Sequence, residues 1–275
     1  MSAKKYKRIK LHILLYTLLV AFALCFTETA NASEATSSYT YYQNLLNENE
    51  LKVYNQIYDM AMSFNDSMFP LCIPLSEPEM ERTINSFYFD HPELYWVNTT
   101  YKYALNKSEQ VIKFQLQFGI SSEELVTANT IIENELNTIV AAAMAEASDI
   151  EKERCIHDYI CSNTSYSVDA KLNQSAYSAL TSPYSVCAGY ARAFQIACER
   201  VGIPCYYVTG TSKGVNHAWN IVYIDGKYYN VDLTWDDVIA ENYSKPSYVY
   251  FNKTDATFAA DHTRSDYAVL LPVCN

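Results

Sequence analysis

The chain has 275 residues, of which 49% are hydrophobic and 19% charged, with a formal net charge of −11 at pH 7. A chain of this length and apolar fraction is predicted to form a substantial core, in one domain or in two closely packed lobes. The acidic excess argues against nucleic acid as a partner.

Residues 1–32 are predicted to be an export signal. Five basic residues precede an apolar run over 11–26, and Ala30-Asn31-Ala32 supplies a small-x-small cleavage pattern. A run of sixteen residues is short for a membrane span, which needs roughly twenty. We therefore expect a mature chain that starts near Ser33, is secreted or extracytoplasmic, and has no stable membrane span.

Seven cysteines lie beyond residue 32, and an odd number in an exported chain leaves at least one free thiol. Cys155 and Cys161 lie on different faces of a predicted helix, and Cys198 lies on a buried helix face, which favours mostly reduced cysteines. No cysteine pair has CxxC or zinc-ligand spacing. The sequence therefore predicts no metal and no other cofactor.

Residues 33–120 are predicted to form an N-terminal α/β extension. Apolar residues at helical spacing predict a helix from Tyr41 to Phe64, and a loop with three prolines follows it. Ser76 and Glu79 make a capping box for a second helix that ends near Tyr88. Short strands are predicted over 95–97, 101–105 and 111–118.

The catalytic core is predicted over 121–275. Ser121 to Glu124 opens a long helix that runs through Ala147, and a second helix runs from Asp149 to about Cys161. We interpret His157, on this second helix, as a structural residue.

The next helix is predicted to begin at Cys187. Apolar residues recur at helical spacing after a loop that contains Pro183, which places Cys187 at or just before the helix N-terminus. Unpaired N–H groups and the helix dipole stabilise a thiolate there, and they aim donors at any oxyanion formed beside it. Candidate oxyanion donors are the backbone N–H of Cys187 and the side chains of Gln174 and Tyr177.

A β-hairpin is predicted over residues 215–233, because Asp225-Gly226 between β-branched and aromatic runs signals a two-residue turn. Counting back from that turn places His217 and Asp232 on the same face as diagonal neighbours. Cysteine at a helix start, with histidine and aspartate on adjacent strands, has the roles that nucleophilic acyl transfer needs. Cys187, His217 and Asp232 are therefore the predicted catalytic residues.

Five segments together carry a family resemblance: Val186–Ala191, Val201–Pro204, Tyr207–Gly210, His217–Asn220 and Asp232–Asp236. They resemble the transglutaminase-like core of the papain-like thiol enzymes. The resemblance implies that Cys187 is the nucleophile, His217 the base and Asp232 its orienter. Two positions depart from the pattern, since Ser185 replaces a common glycine and Leu233 a common proline.

The predicted fold is α+β, with a nucleophile helix packed on an antiparallel sheet. The predicted function is acyl transfer on protein or peptide amides through a cysteine thioester, and the resemblance favours transglutaminase-type transfer to an amine. With water as acceptor the protein is a cysteine peptidase or amidase, and a binding module without turnover is the alternative from another class. Predicted substrate contacts are Trp219, Tyr177 and Trp235, and the sequence indicates no oligomeric state.

After the hairpin, Tyr248 to Phe251 is predicted to be a final strand that packs on it. His262 is a further histidine, but it has no register link to Cys187. We therefore expect it to lie outside the site.

Overall fold

The structure is a computed structural model that describes residues 40–243 and 246–275, apart from the side chain of residue 243. The predicted export signal lies outside these residues. Residues 40–275 form one compact unit. In the described part of the chain, no helix combines the length and the apolar character that crossing a bilayer requires.

The N-terminal half consists of a three-stranded antiparallel sheet and two helices. Its elements are a 3₁₀ turn (Tyr42–Leu45), α1 (Glu48–Met62), β1 (Phe69–Ser76), α2 (Glu77–Asp90), β2 (Val97–Leu105) and β3 (Gln110–Phe118). The predicted capping box of Ser76 and Glu79 is present at the start of α2. Asn47 forms a second capping box with Glu50, so α1 begins later than predicted.

The loop with prolines predicted after the first helix is wrong, because β1 occupies most of that segment. In the sheet order β1-β3-β2, β1 is an edge strand. Its register with β3 shifts between Pro70 and Leu75, so Pro70 and Pro74 occupy an irregular edge where a missing N–H costs little. Pro78 lies in the first turn of α2, where its missing N–H is also tolerated.

A helical layer follows in the middle of the chain. It contains α3 (Ser122–Ala143), α4 (Asp149–Asn163), β4 (Ser165–Tyr166), α5 (Ala176–Thr181), β5 (Tyr184–Ser185) and α6 (Cys187–Arg200). α3 and α4 begin within one residue of the predicted positions, each after a serine whose side chain accepts a first-turn N–H. Residues 188–198 of α6 are all buried, which makes α6 the central helix of the fold.

The C-terminal part builds a four-stranded antiparallel sheet in the order β8-β7-β6-β9. Its elements are β6 (Cys205–Ser212), β7 (Val215–Ile224), β8 (Lys227–Val231), α7 (Leu233–Tyr243), α8 (Asp255–Phe258), β9 (His262–Arg264) and a 3₁₀ turn (Ala268–Leu270). The predicted two-residue turn is confirmed, since Ile224 pairs with Lys227 and both turn residues have positive φ. The fold class is α+β, as predicted.

Two C-terminal predictions need correction. Residues 248–251 form a turn, not a strand, because their backbone bonds to the start of α7: Tyr250 donates its N–H to Asp236, and its carbonyl accepts from Asp232. The fourth strand is β9, at a position where the sequence predicts no strand. β9 can approach because residue 210 is glycine, and a Cβ there would lie 2.0 Å from the carbonyl oxygen of Thr263.

One hydrophobic core includes Val53 and Phe114 from the N-terminal half together with Phe194 and Val231 from the C-terminal half. Side chains from both sides of residue 120 therefore share one core. The domain boundary at that residue stays a prediction.

Candidate active site

Cys187 is half-buried and is the first residue of α6, as the apolar spacing predicts. The residue before it, Val186, is extended and provides no side-chain cap. Within residues 40–243 and 246–275, the N–H groups of Cys187 and Ala188 donate to no protein acceptor. The helix start therefore leaves two backbone donors free beside the thiol.

Close packing fixes the start of α6 against the preceding loop. A Cβ on Gly189 would lie 2.0 Å from Ser185 Oγ and 2.8 Å from the carbonyl oxygen of Asn173, so only glycine fits there. Ser185 is fully buried, and its Oγ lies 2.6 Å from Ser178 Oγ. The serine that departs from the family pattern is thus satisfied by a second serine on α5.

His217 and Asp232 are in contact, as the hairpin register predicts. His217 lies on β7, and Asp232 follows directly after the last residue of β8. Nε2 of His217 lies 2.7 Å from Oδ2 of Asp232, and both residues are buried. A carboxylate only accepts hydrogen bonds, so Nε2 carries the proton and donates it. This leaves Nδ1 as the ring nitrogen available to the thiol.

Asp232 also caps α7. Its Oδ1 accepts the backbone N–H of Trp235 at 3.2 Å, which is the bond that an N-cap aspartate makes to the third residue of a helix. One oxygen of the carboxylate is therefore tied to the helix, while Oδ2 faces the histidines. This division holds the carboxylate in a fixed orientation.

His262 contacts the same carboxylate, so the expectation that it lies outside the site is wrong. β9 pairs with β6 through Ser212 and His262, which brings His262 Nε2 to 3.0 Å from Oδ2 of Asp232. Its other ring nitrogen, Nδ1, lies 2.7 Å from Oδ1 of Asp261. Each ring nitrogen thus faces a carboxylate, and both hydrogen bonds are made at once only by the doubly protonated ring.

The surroundings of His217 favour its charged form. Burial alone lowers its pKa, but the charge and hydrogen bond of Asp232, followed by interaction with the Cys187 thiol, outweigh burial and raise the pKa to about 10. Burial raises the pKa of Asp232, yet His217 and His262 together hold it below its usual value. The buried site is therefore a charged network.

The three predicted substrate contacts have different positions. Trp219 is 1% exposed; its ring lies near the rings of both His217 and His262, and its Nε1 donates to Asn230 Oδ1. A ring without exposed surface offers nothing to a substrate, so the prediction for Trp219 does not fit this structure. Trp235 is half-buried, with its ring 5.9 Å from that of His217.

Tyr177, on α5, contacts the N-terminal half of the chain. Its ring stacks on Tyr95 at 5.2 Å, and it lines a surface groove formed with α3. Gln174 lies in the loop before α5, where it lines a different cavity. The backbone donors of α6 are thus the oxyanion donors that the described contacts support.

The ligand atoms of His217, Asp232 and His262 all lie within 4.8 Å of one another, a set that could hold a metal ion. The same atoms already hydrogen-bond one another at 2.7 and 3.0 Å. The protein therefore satisfies these groups with its own side chains, and we interpret them as a hydrogen-bonded network.

Residues 137–233 match the model of the transglutaminase-like superfamily. The matched segment contains Cys187, His217 and Asp232. The chain is 32% identical over 154 residues to the kyphoscoliosis peptidase of Mus musculus and 31% identical over 150 residues to that of Homo sapiens. These matches cover 48% and 46% of this chain but only 23% of each relative.

Among solved structures, a crystal structure of a TGase is similar with a TM-score of 0.36 and 15% sequence identity. The match covers 61% of this chain and 50% of that chain.

Proposed function

We propose that the chain is a thiol enzyme that acts on protein or peptide amides, with Cys187 as nucleophile, His217 as base and acid, and Asp232 as orienter. The observation that carries this proposal is the position of His217. Asp232 holds its Nε2, while the Cys187 thiol is among the groups that raise the pKa of its ring. A charged imidazolium beside a thiol favours the reactive thiolate.

The reaction follows from this arrangement. The Cys187 thiolate attacks the amide carbon, and the N–H groups of Cys187 and Ala188 stabilise the oxyanion. Cleavage of the C–N bond releases the amine, which takes its proton from Nδ1 of His217, and a thioester remains on Cys187. His217 then removes a proton from the acceptor, the acceptor attacks the thioester, and the thiolate is restored.

We propose water as the acceptor, which makes the protein a cysteine peptidase or amidase. The similarity to two kyphoscoliosis peptidases supports this choice. The surface near the thiol also supports it, because Tyr166 and Tyr184 on the strand pair just before Cys187 are 47% and 50% exposed. An open cleft suits hydrolysis, whereas transfer needs water to be kept from the thioester.

Transfer to a lysine amine is the second candidate, and Trp235 favours it. Its ring lies beside His217, and Nζ of Lys213 lies 3.4 Å from the ring centroid. This aromatic face therefore already binds an alkylammonium group of the chain itself. An acceptor lysine would use the same chemistry.

The test is incubation of residues 33–275 with a glutamine-containing casein and a labelled primary amine. Peptide cleavage or ammonia release without incorporation supports hydrolysis, and amine incorporation supports transfer. Cys187→Ala is the control and abolishes either reaction. No reaction of any kind, with Cys187 unreactive toward a thiol-directed inhibitor, would assign the chain to the binding modules.

We also propose that the chain is exported and cleaved after Ala32. N-terminal sequencing of the protein recovered outside the cytoplasm should begin at Ser33. An uncleaved N-terminus would contradict this proposal.

A further inference from the structure

A cavity of about 270 Å³ lies on another side of α6, where the end of α2 and the start of β2 face residues 171–175. Part of its wall is aromatic and is formed by Phe87, Tyr88 and Tyr95. Lys171 and Arg192 line it, while none of its lining residues is acidic. The chain as a whole has 31 acidic and 20 basic residues, so a cavity lined only by basic charged residues differs in the sign of its charge from the protein around it.

Arg192 is the notable group of this cavity, because its charge is buried without a counter-ion. It is 7% exposed, donates one N–H to the carbonyl oxygen of Tyr88, and lies 4.6 Å above the ring of Tyr207. Its Nε is buried without a hydrogen-bond partner, and no carboxylate pairs with it in the described segments. Buried charges are normally paired.

Arg200 on the same helix shows the usual arrangement. It is exposed, and its guanidinium makes two hydrogen bonds to Glu133 at 2.7 and 3.0 Å. The chain thus pairs the arginine that water could solvate and leaves the buried one without a carboxylate. A missing counter-ion beside a cavity indicates that a ligand supplies it.

We propose that this cavity binds a carboxylate group, with Arg192 as its counter-charge and Lys171 at the rim. A guanidinium matches the two oxygens of a carboxylate better than any other side chain does. Asn98 and Thr99 line the same cavity and add polar groups, and the aromatic wall accommodates the hydrocarbon part of the ligand.

The position of Arg192 relates this cavity to the proposed function, on which the next step rests. Arg192 lies five residues beyond Cys187 on α6, about 7.5 Å along the helix axis. Tyr207 packs against the guanidinium and belongs to the apolar cluster that Cys187 contacts. An acidic side chain of a bound peptide is therefore one source of the carboxylate, and a free small acid is the other.

Binding is tested in Cys187→Ala protein, so that the result does not depend on turnover. Sodium benzoate is titrated against its neutral analogue benzamide, with calorimetry and thermal unfolding as readouts. We expect benzoate to bind and to raise Tm, and benzamide to do neither. Equal binding of the two probes, or no binding of benzoate at millimolar concentration, overturns the proposal.

Variants locate the site. Arg192→Met should weaken benzoate binding on the order of tenfold or more, because a charged hydrogen-bond pair is lost. Lys171→Met should weaken it by roughly two- to threefold, since Lys171 is exposed and shared with Glu124. Arg200→Met is the matched control and should leave the affinity unchanged. If Arg192→Met does not fold, Lys171→Met and the two probes decide, and unchanged affinity in Lys171→Met counts against the proposal.

Active protein distinguishes a peptide ligand from a free small acid. Peptides with glutamate two or three residues from the reacting amide are compared with their glutamine counterparts. A kcat/KM higher for glutamate by on the order of tenfold, lost in Arg192→Met, supports the peptide ligand. Equal rates, with benzoate binding still dependent on Arg192, show that the carboxylate site takes a free acid and overturn the peptide ligand. If neither peptide reacts, the proposed function fails while the benzoate result still decides the site.

Discussion

The described structure contains two clusters of a cysteine, a histidine and an aspartate. We name them the Cys187 cluster (Cys187, His217, Asp232) and the Cys161 cluster (Cys161, His157, Asp236). In the Cys161 cluster, His157 Nε2 lies 3.3 Å from Oδ2 of Asp236 and 3.9 Å from Sγ of Cys161. The same three residue types thus meet twice, although only one cluster has the features of a reactive site.

The two clusters agree in their histidines and aspartates. Both histidines are buried, and in both the pKa is raised, because the aspartates and cysteines around them outweigh the effect of burial. Asp232 caps α7, and Asp236 lies one turn further along the same helix. Neither the imidazole nor the carboxylate therefore distinguishes the two clusters.

The cysteines differ. Cys187 is the first residue of α6, whereas Cys161 is the third residue from the end of α4. A thiolate is stabilised at the positive N-terminus of a helix and disfavoured near the C-terminus. Burial raises the pKa of Cys161, and its thiol donates to the carbonyl oxygen of Leu233 at 3.6 Å. The position of the thiol on its helix, and not the residue types, separates the proposed nucleophile from the thiol that we interpret as structural.

The largest expected difference between the clusters concerns removal of the thiol. Cys187→Ala should lower the rate by a factor on the order of 10⁴ or more, because the thioester cannot form. Cys161→Ala should leave the rate within about twofold, because a structural thiol takes no part in the reaction. Casein cleavage and ammonia release measure both. Loss of activity in Cys161→Ala protein that unfolds at the normal Tm would mean that the Cys161 cluster is catalytic.

The second difference concerns the carboxylates. Asp232→Asn should lower the rate by a factor on the order of 10² to 10⁴ with the fold intact, because the imidazolium loses its orienter and counter-charge. Asp236→Asn should lower Tm while the rate changes little, since Asp236 accepts from Ser247 and Tyr250. Activity and thermal unfolding are measured on the same preparations. Near-normal turnover in Asp232→Asn would show that its assigned role is wrong.

Alkylation compares the thiols directly. At neutral pH and brief exposure to iodoacetamide, Cys187 should react on the order of 10² faster than Cys161, because Cys187 lies at a helix N-terminus, whereas burial raises the pKa of the Cys161 thiol. Mass mapping of the labelled peptides measures this ratio. Cys72 is exposed but has no histidine partner in the described structure, so it is the internal control. Faster labelling of Cys72 or Cys274 would contradict the assignment of Cys187.

His262→Gln should have a smaller effect, about tenfold in kcat with KM unchanged. Asp232 keeps its bond to His217 and its cap on α7 but loses one hydrogen-bond donor at Oδ2. The alkaline limit of the rate profile should also shift to higher pH, because a carboxylate with one donor fewer raises the pKa of His217 further. His157→Gln is the matched variant and should shift no rate profile. A lowered Tm with an unchanged profile for His262→Gln would make His262 purely structural.

The smallest expected effect is on stability, a few °C in Tm. The pKa of His217 is raised from 6.5 to about 10, so its contribution to stability is complete below pH 6.5 and is lost as the pH rises toward 10. The pKa of Asp232 is lowered from 3.8, so its contribution is present above that value and is lost in more acidic solution. The Tm of His217→Gln should therefore fall furthest below that of the unaltered protein between about pH 4 and 6.5.

Thermal scans across that range test the sign. If the lowering of Tm by His217→Gln grows toward pH 10, the direction assigned to the pKa shift of His217 is wrong. His157→Gln should follow the same trend, because the pKa of His157 is also raised. A difference between the two variants would mean that the clusters differ in their histidines as well as in their cysteines.

Local sequence determined the elements that bring the Cys187 cluster together. The apolar spacing after Cys187 fixes the start of α6, because a helix is decided by neighbours three and four residues apart. The Asp225-Gly226 turn fixes the register that joins His217 to Asp232, because a two-residue turn leaves one way to pair its strands. Both signals involve residues close in sequence, so they can be read without the fold.

Other features were decided only by tertiary structure. His262 meets Asp232 across 30 residues of sequence through the pairing of β9 with β6, and a three-residue strand carries no pattern that predicts its partner. The burial of Trp219 and the unpaired charge of Arg192 depend on which elements pack over them. Periodicity shows which face of an element is apolar, but burial and charge pairing depend on the elements that cover it, and long-range packing alone chooses those.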